Sequence, residues 1–415
     1  MEKNLFALSV EHFKEIGRDL QQKIMEGLQK DGEEIACLPT YINPGKDFEG
    51  KVLALDWGGT NFRASIVQFK KGEKPAILEN LKLPLSHKET EGFTQEDLFN
   101  AMAGLIVQLK HLDAQVTHIG YCFSYPAEST LSGDSILLRW TKEIDIPDLL
   151  NKLVGKPLLD YLNSYEGIKT KFKTVKVVND TIACLFAGLA QPGYDSYIGL
   201  IVGTGTNMAA LVHKNSIKKL NKEYNGGDLI PINFESGNLK PRYSDREYLT
   251  EIDRLVDERS KDRGRQLFEK AMSGGYIGSI FRNTFPQIEI ESKFDGEKLT
   301  NLMNYPAIYK PEYVTVARQI YVRSAQLVAA SLAGLTLVLT AYKDKNTYDK
   351  SLHNICLAAD GSLFWSSDKN GKDYNELVRE NLEILLDSFG LGHIHFHINK
   401  LDDANLIGSA IAALS

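Results

Sequence analysis

The sequence predicts an α/β fold of two related half-units, built of mixed sheets flanked by helices. Three observations carry that prediction. A hairpin motif built on a glycine turn occurs twice at domain-scale spacing, and strand-like apolar runs alternate with amphipathic helical runs. In addition, 415 residues with 43% hydrophobic content can bury more than one core.

The first copy of the motif is VLALDWGGTNFRASIV, residues 52–67. Two apolar runs are joined through Gly58 and Gly59, followed by Thr60, Asn61 and Arg63. Glycine admits positive φ, so such a turn can bring peptide N–H groups and a threonine hydroxyl against a phosphate, with Asp56 at the strand end facing a metal or its water. A glycine turn also serves as plain structure, so one copy leaves both readings open. The second copy, LIVGTGTNMAALV at 200–212, lays Gly205, Thr206 and Asn207 over Gly59, Thr60 and Asn61 at an offset of 146 (205 minus 59). Two related half-units follow, and two facing hairpins would hold both ends of a polyphosphate. That is the plan of the ribonuclease-H-like (actin-like ATPase) fold, shared by ATPases and sugar kinases.

Composition narrows the partners. A net charge of -6 with no basic stretch argues against nucleic acid. The N-terminus lacks a basic segment followed by a long apolar core, so no secretory signal is expected and the cytoplasm is the expected location. Residues 324–342 run 19 positions without charge, long enough for a bilayer. They also hold Ser324, Gln326, Ser331, Thr336 and Thr340 and continue an amphipathic pattern from Pro311, which predicts a buried helix packed on a sheet and no membrane partner. Cys37, Cys122, Cys184 and Cys356 form no Cys-x-x-Cys pair and read as reduced structural thiols. His393, His395 and His397 alternate, as one face of a half-exposed strand or as metal ligands.

In chain order, Phe13, Ile16, Leu20, Ile24 and Leu28 predict a helix over 11–30 capped by Ser9. A proline- and glycine-marked connection, 38–51, leads to the first hairpin, and 76–85 reads as a further strand. Thr94 caps a helix expected to reach Leu112. Strands are expected at 118–125 and 175–178, then a helix at 181–190, a polar helix-rich stretch over 216–306, a strand from Ile355 into a glycine turn, and a small-residue helix at 403–414. Without a low-complexity linker, the domain border falls at a strand-to-helix junction near residue 180.

Phosphoryl transfer to an alcohol needs a carboxylate that accepts the proton. Asp180, at a strand end and opening a helix, is the candidate, with helix capping as its other reading. Glu235, Glu269, Asn207 and Lys142 are each compatible with a solvated or loop-bonding role when taken alone.

Together these segments resemble the hexokinase family. DWGGTNFR and GLIVGTGTN are similar to its two phosphate motifs, FSYP with RWTK to its sugar segment, and VVNDT to the strand bearing the catalytic aspartate. NFESG and QLFEK resemble its glutamate-bearing sugar segments, AADGSLF its adenosine-side loop, and LPTYI precedes the first hairpin. The resemblance implies ATP-dependent phosphorylation of a hexose, glucose foremost, with Asp180 as base and Lys142 assisting charge at the phosphoryl group. It implies sugar contacts from Ser124, Thr141, Lys142, Asn179, Asp180, Asn207, Glu235 and Glu269. It assigns Mg-ATP to Asp56, Gly58, Gly59, Thr60, Asn61, Arg63, Gly203, Thr204 and Gly205, with Gly361 and Ser362 beside the adenosine. Asp56 would act on Mg2+ through water.

By the same resemblance, the fold is two-lobed with a central cleft, the small lobe comprising 50–181 with 402–415 and the large lobe 1–49 with 182–401. Departures from the family pattern are Trp57 in place of an aliphatic residue, Glu143 in place of glycine after WTK, and DDANLIG at 402–408 without the usual glycine-serine-glycine. A catalytically silent sugar sensor and an actin-like ATPase are the rival readings. Nothing in the sequence sets an oligomeric state.

Overall fold

The computed structural model describes residues 4–45, 48–240, 248–288, 294–341 and 351–415. Of the expected segments, residues 46–47 of the first connection, 241–247 and 289–293 of the polar stretch, and Tyr342 lie outside the described residues.

Strands in chain order are β1 (Leu38–Pro39), β2 (Gly50–Trp57), β3 (Asn61–Phe69), β4 (Ala76–Pro84), β5 (His118–Phe123), β6 (Ala127–Ser129), β7 (Ser135–Leu137), β8 (Thr174–Val178), β9 (Ser196–Val202), β10 (Thr206–His213), β11 (Leu229–Asn233), β12 (Asn354–Asp360) and β13 (His395–Lys400). The α-helices are α1 (Val10–Gly27), α2 (His87–Thr90), α3 (Gln95–Ile106), α4 (Gly155–Ser164), α5 (Asp180–Leu189), α6 (Glu251–Glu258), α7 (Leu267–Met272), α8 (Gly274–Thr284), α9 (Gly296–Asn304), α10 (Pro311–Thr340), α11 (Tyr374–Ser388) and α12 (Ala404–Ala413).

Both repeated motifs are hairpins, β2–β3 and β9–β10, each at the centre of its own sheet. The first sheet runs β4-β3-β2-β5-β8, antiparallel through the hairpin and parallel from β2 to β8. The second repeats that plan as β11-β10-β9-β12-β13, with β1 added beyond β11. The last six residues of β2 are buried, as expected of a central strand covered on both faces.

The helix after each sheet packs on the opposite half. α5 lies against β9, β10 and β12, while α12 lies against β2, β5 and β8, and the two helices cross in direct contact. The crossing is close because Gly408 of α12 has no side chain: a Cβ there would lie 1.8 Å from the carbonyl oxygen of Ala183. Small residues at such a crossing let two backbones touch, and they set where Asp180, at the start of α5, stands between the sheets.

Several boundaries differ from the sequence expectation. α1 stops at Gly27 rather than Lys30, with Leu28 as its C-cap, and α3 stops at Ile106 rather than Leu112. The expected caps Ser9 and Thr94 are both in place, accepting from the amides of His12 and Asp97. The helix after β8 is capped by Asn179, whose Oδ1 accepts from the Ile182 amide at 2.8 Å, so Asp180 is its first residue and not its cap. α10 is the apolar segment expected to be buried against a sheet; it is buried, but chiefly against other helices. Its most membrane-like window is 83% buried, between α1 and α11. The four cysteines are buried and free. His395 and His397 are exposed on edge strand β13, where His397 Nε2 meets Asn354 Oδ1 at 3.0 Å, and no group of three or more metal-ligating side chains is found among the described residues.

Candidate active site

The first glycine turn follows Asp56, which is 6% exposed near the end of β2. Directly opposite on β3, Arg63 donates to Asp56 Oδ2 from Nε at 2.9 Å and from Nη2 at 2.7 Å, and its Nη1 reaches Asp403 Oδ1 at 2.6 Å. Asn405 Nδ2 donates to Asp56 Oδ1 at 3.3 Å. Burial raises the Asp56 pKa, Arg63 opposes that shift, and the charge of Asp180 adds to it. Arg63 was expected on a phosphate; the structure instead commits all three of these donors to carboxylates. Thr60 and Asn61 sit at the turn, with Asn61 Nδ2 donating to Thr60 Oγ1 at 2.9 Å.

Lys142 closes over that turn. Its Nζ donates to the carbonyl of Gly58 at 2.6 Å and to that of Ser124 at 2.9 Å, and it lies 5.2 Å from the ring centre of Tyr125. Gly59 has φ +120°, and a Cβ there would be 2.6 Å from Lys142 Cδ, so glycine is required twice over. Lys142 and Glu143 both adopt left-handed backbone, φ 58° and 65°. Beneath them Trp57, Tyr125 and Trp140 form a mutually contacting aromatic cluster, with ring centres 5.0 to 5.7 Å apart. Ser124 and half-buried Thr141 flank Lys142 on this side.

Beyond the second turn a polar set converges. Asn207 Nδ2 donates to Asn233 Oδ1 at 2.7 Å and Glu235 Oε1 at 3.3 Å, and Asn233 Nδ2 donates to the same Glu235 oxygen at 2.7 Å. Glu235 has left-handed φ of 57°. Glu269, in the first turn of α7, accepts the Thr206 amide at 2.8 Å. Burial is the main force raising both glutamates, Asp180 pushes both the same way, and Glu269 is pushed to about 7. Asn233 opposes the shift at Glu235, and the charge of Arg139 does so too.

Asp180 therefore influences Asp56 on one side and Glu235 and Glu269 on the other. Its Oδ1 accepts from the Thr181 hydroxyl at 3.1 Å. Gly361 and Ser362 abut the second turn, since a Cβ at Gly203 would lie 3.4 Å from Gly361 Cα and 3.7 Å from Ser362 N. The start of α8 is laced to the same turn, Gly274 N to Gly203 O at 2.7 Å and Gly275 N to Thr204 O at 3.0 Å.

Sequence reasoning missed Asn233, Arg139, Asp403 and Asn405. Asn233 was within reach, two residues before Glu235 in the same segment. Asp403 and Asn405 carry no local signal, because their partners are over 300 residues away.

Comparison with known proteins supplies what geometry alone does not. One family model, described as hexokinase, matches residues 2–189, and a second of the same description matches 197–314 and 310–415. The chain belongs to the hexokinase family. It is an ATP-dependent hexose kinase of that family. Hexokinase-2 of Schizosaccharomyces pombe is 31% identical over 296 residues, spanning 67% of this chain and 62% of that protein. Hexokinase-1 of Arabidopsis thaliana is 24% identical over 457 residues, spanning 99% and 89%. The solved hexokinase from Schistosoma mansoni complexed with glucose shares the fold, with TM-score 0.79, 23% identity and coverage of 99% and 96%.

The departures from the hexokinase pattern acquire structural meanings. The Trp57 indole is buried, donates from Nε1 to Leu85 O at 3.0 Å and joins the aromatic cluster beneath Lys142. Asp403 and Asn405, within the 402–408 segment that departs from the pattern, hold Arg63 and Asp56.

Proposed function

We propose that this hexokinase transfers the γ-phosphoryl group of Mg-ATP to the 6-hydroxyl of a hexose, glucose foremost, with Asp180 as general base. The position of Asp180 carries the reading: it stands at the start of α5, in electrostatic reach of both the first-turn aspartate and the two glutamates. The ring hydroxyls would be met by Asn207, Glu235 and Glu269 from the second half and by Ser124, Thr141, Lys142 and Asn179 from the first. Alternating carboxylates and amides suit a sugar, whose hydroxyls both donate and accept. Asp180 would take the hydroxyl proton as that oxygen bonds to phosphorus and the bond to the β-phosphate oxygen of ADP breaks.

The turns at 58–61 and 203–205 would cradle the phosphates, with Gly361 and Ser362 beside the adenosine. Asp56 has Oδ2 on Arg63 and Oδ1 on Asn405, a donor set that suits a magnesium ion held by phosphate and water rather than by direct ligation. Such an ion would neutralise charge on the triphosphate.

The test is a coupled assay over a hexose panel. Turnover is expected with glucose, falling at least about 100-fold in Asp180→Ala while sugar binding, measured calorimetrically, is largely kept. Binding without turnover on any hexose would support the sensor reading instead.

A further inference from the structure

Glu143 stands where hexokinases usually have glycine. Its Oε1 accepts from Lys261 Nζ at 2.9 Å. The two residues belong to different halves. Glu143 leads into Ile144 and Ile146, which are buried in the core of the first sheet, while Lys261 follows α6, whose Val256 is buried in the core of the second.

Each partner is also tied to a site residue. Glu143 directly follows Lys142 in a pair of left-handed residues, so the backbone that aims Lys142 at Gly58 also aims Glu143 at the other half. Lys261 lies on a braced segment: Asp257 Oδ1 accepts from Gly264 N at 3.0 Å and from Lys270 Nζ at 2.7 Å, and Lys270 Nζ also donates to Asp262 O at 2.6 Å. Lys270 adjoins Glu269. A rigid segment bearing a cation thus faces a loop bearing an anion across the cleft.

We propose that Glu143 and Lys261 form an electrostatic latch that favours the closed cleft and so positions Lys142 and Glu269 around the hexose. The proposal rests on the sugar-kinase reading of Lys142 and Glu269. Both side chains are exposed, 65% for Glu143 and 88% for Lys261, so the latch is weak and screened by salt. A weak link is suited to a cleft that must reopen at every turnover. A contact made only in the closed state shifts that equilibrium by its own strength, here about two- to fivefold.

The test uses full-length E143Q, K261Q, E143K and the exchanged pair E143K/K261E. At low salt each neutralising variant is expected to raise the hexose KM about two- to fivefold with kcat within about twofold. E143K should raise it further, and the exchanged pair should return it toward wild type. In about 1 M salt, where the Debye length is about 3 Å, these differences should vanish. Unchanged KM in the neutralising variants, or an exchanged pair no better than E143K, would overturn the latch.

A second arm does not depend on catalysis. Low-salt X-ray scattering should show a larger radius of gyration for E143K than for wild type, and wild-type dimensions for the exchanged pair. If the wild type turns over no hexose, the sugar-kinase reading fails by itself and scattering alone decides the latch. No expansion in E143K would then overturn it.

Discussion

Thr206 and Glu269 are joined by a 2.8 Å hydrogen bond from the backbone amide of one to Oε2 of the other, across 63 residues of chain. Even so, burial, with Glu235 and Asp180 nearby, pushes Glu269 up to about 7 from an ordinary 4.5. The folded protein therefore keeps a proton there that the unfolded chain gives up at lower pH. This group's contribution to stability falls as pH rises from about 4.5 to about 7 and levels off above that. A hexose hydroxyl donating to Glu269 favours the ionised form, so hexose affinity should rise with pH through about 7, with proton release on binding. Calorimetry near neutral pH in buffers of different ionisation enthalpy would detect the released proton, and Glu269→Gln should abolish it. Equal binding enthalpies in all buffers would count against the assignment.

Arg63 holds Asp56 and Asp403 together, linking the first hairpin to the start of α12. Arg63→Ala leaves the nearly buried Asp56 carboxylate unpaired and should cost about 2–4 kcal/mol, below the full value for a buried pair because the Arg63 side chain is 24% exposed. Asp403→Ala, which leaves the Arg63–Asp56 pair intact, should cost no more than about 1 kcal/mol. Denaturant unfolding measures both, and equal costs would refute this ordering.

Lys142 donates to two carbonyls beside the first turn, and its aliphatic stem packs on Gly59. Lys142→Met should lower kcat by about 100-fold, a typical loss for one transition-state donor, with hexose affinity changed much less. Gly59→Ala should mimic it, because the added methyl clashes with Lys142 Cδ and the residue has φ +120°. Wild-type kcat in Gly59→Ala would show that the lysine's placement does not matter.

Gly408→Ala should affect both stability and catalysis. Its methyl would sit 1.8 Å from the Ala183 carbonyl oxygen, so α5 and α12 must separate. The expected cost is about 2–4 kcal/mol, at or above the usual range for overpacking. Because α5 carries Asp180, kcat should fall while the enzyme is still folded. Melting and single-turnover measurements on the same preparation would show whether the two effects travel together.

Much of this protein is legible along the chain because its signals are local. Hairpins, strand cores and the caps at Ser9 and Thr94 depend on residues within a turn or two, and these are found where the pattern puts them. The proposed sugar ligands Asn207, Glu235 and Glu269 were named through the resemblance of their short segments to family motifs, since taken singly each suits a solvated or loop-bonding role. The reading of Asp180 as a cap failed at a one-residue boundary, where Asn179 competes for the same role with an equally suitable side chain.

By itself, then, the sequence determined the repeated α/β plan, the two glycine turns and the family, all properties of contiguous stretches with their own periodicity and backbone demands. Only the tertiary structure decided that Arg63 belongs to Asp56 and Asp403, that Asn233 completes the glutamate cluster, that α5 and α12 cross onto opposite sheets, and that Glu143 meets Lys261. The Arg63–Asp403 and Glu143–Lys261 pairs and the helix crossing join segments far apart in the chain, while Arg63–Asp56 and Asn233–Glu235 are close in sequence but are set by side-chain placement that no pattern shows. Charge, burial and hydrogen bonding act through space, so which donor faces which acceptor is settled only when the two sheets pack.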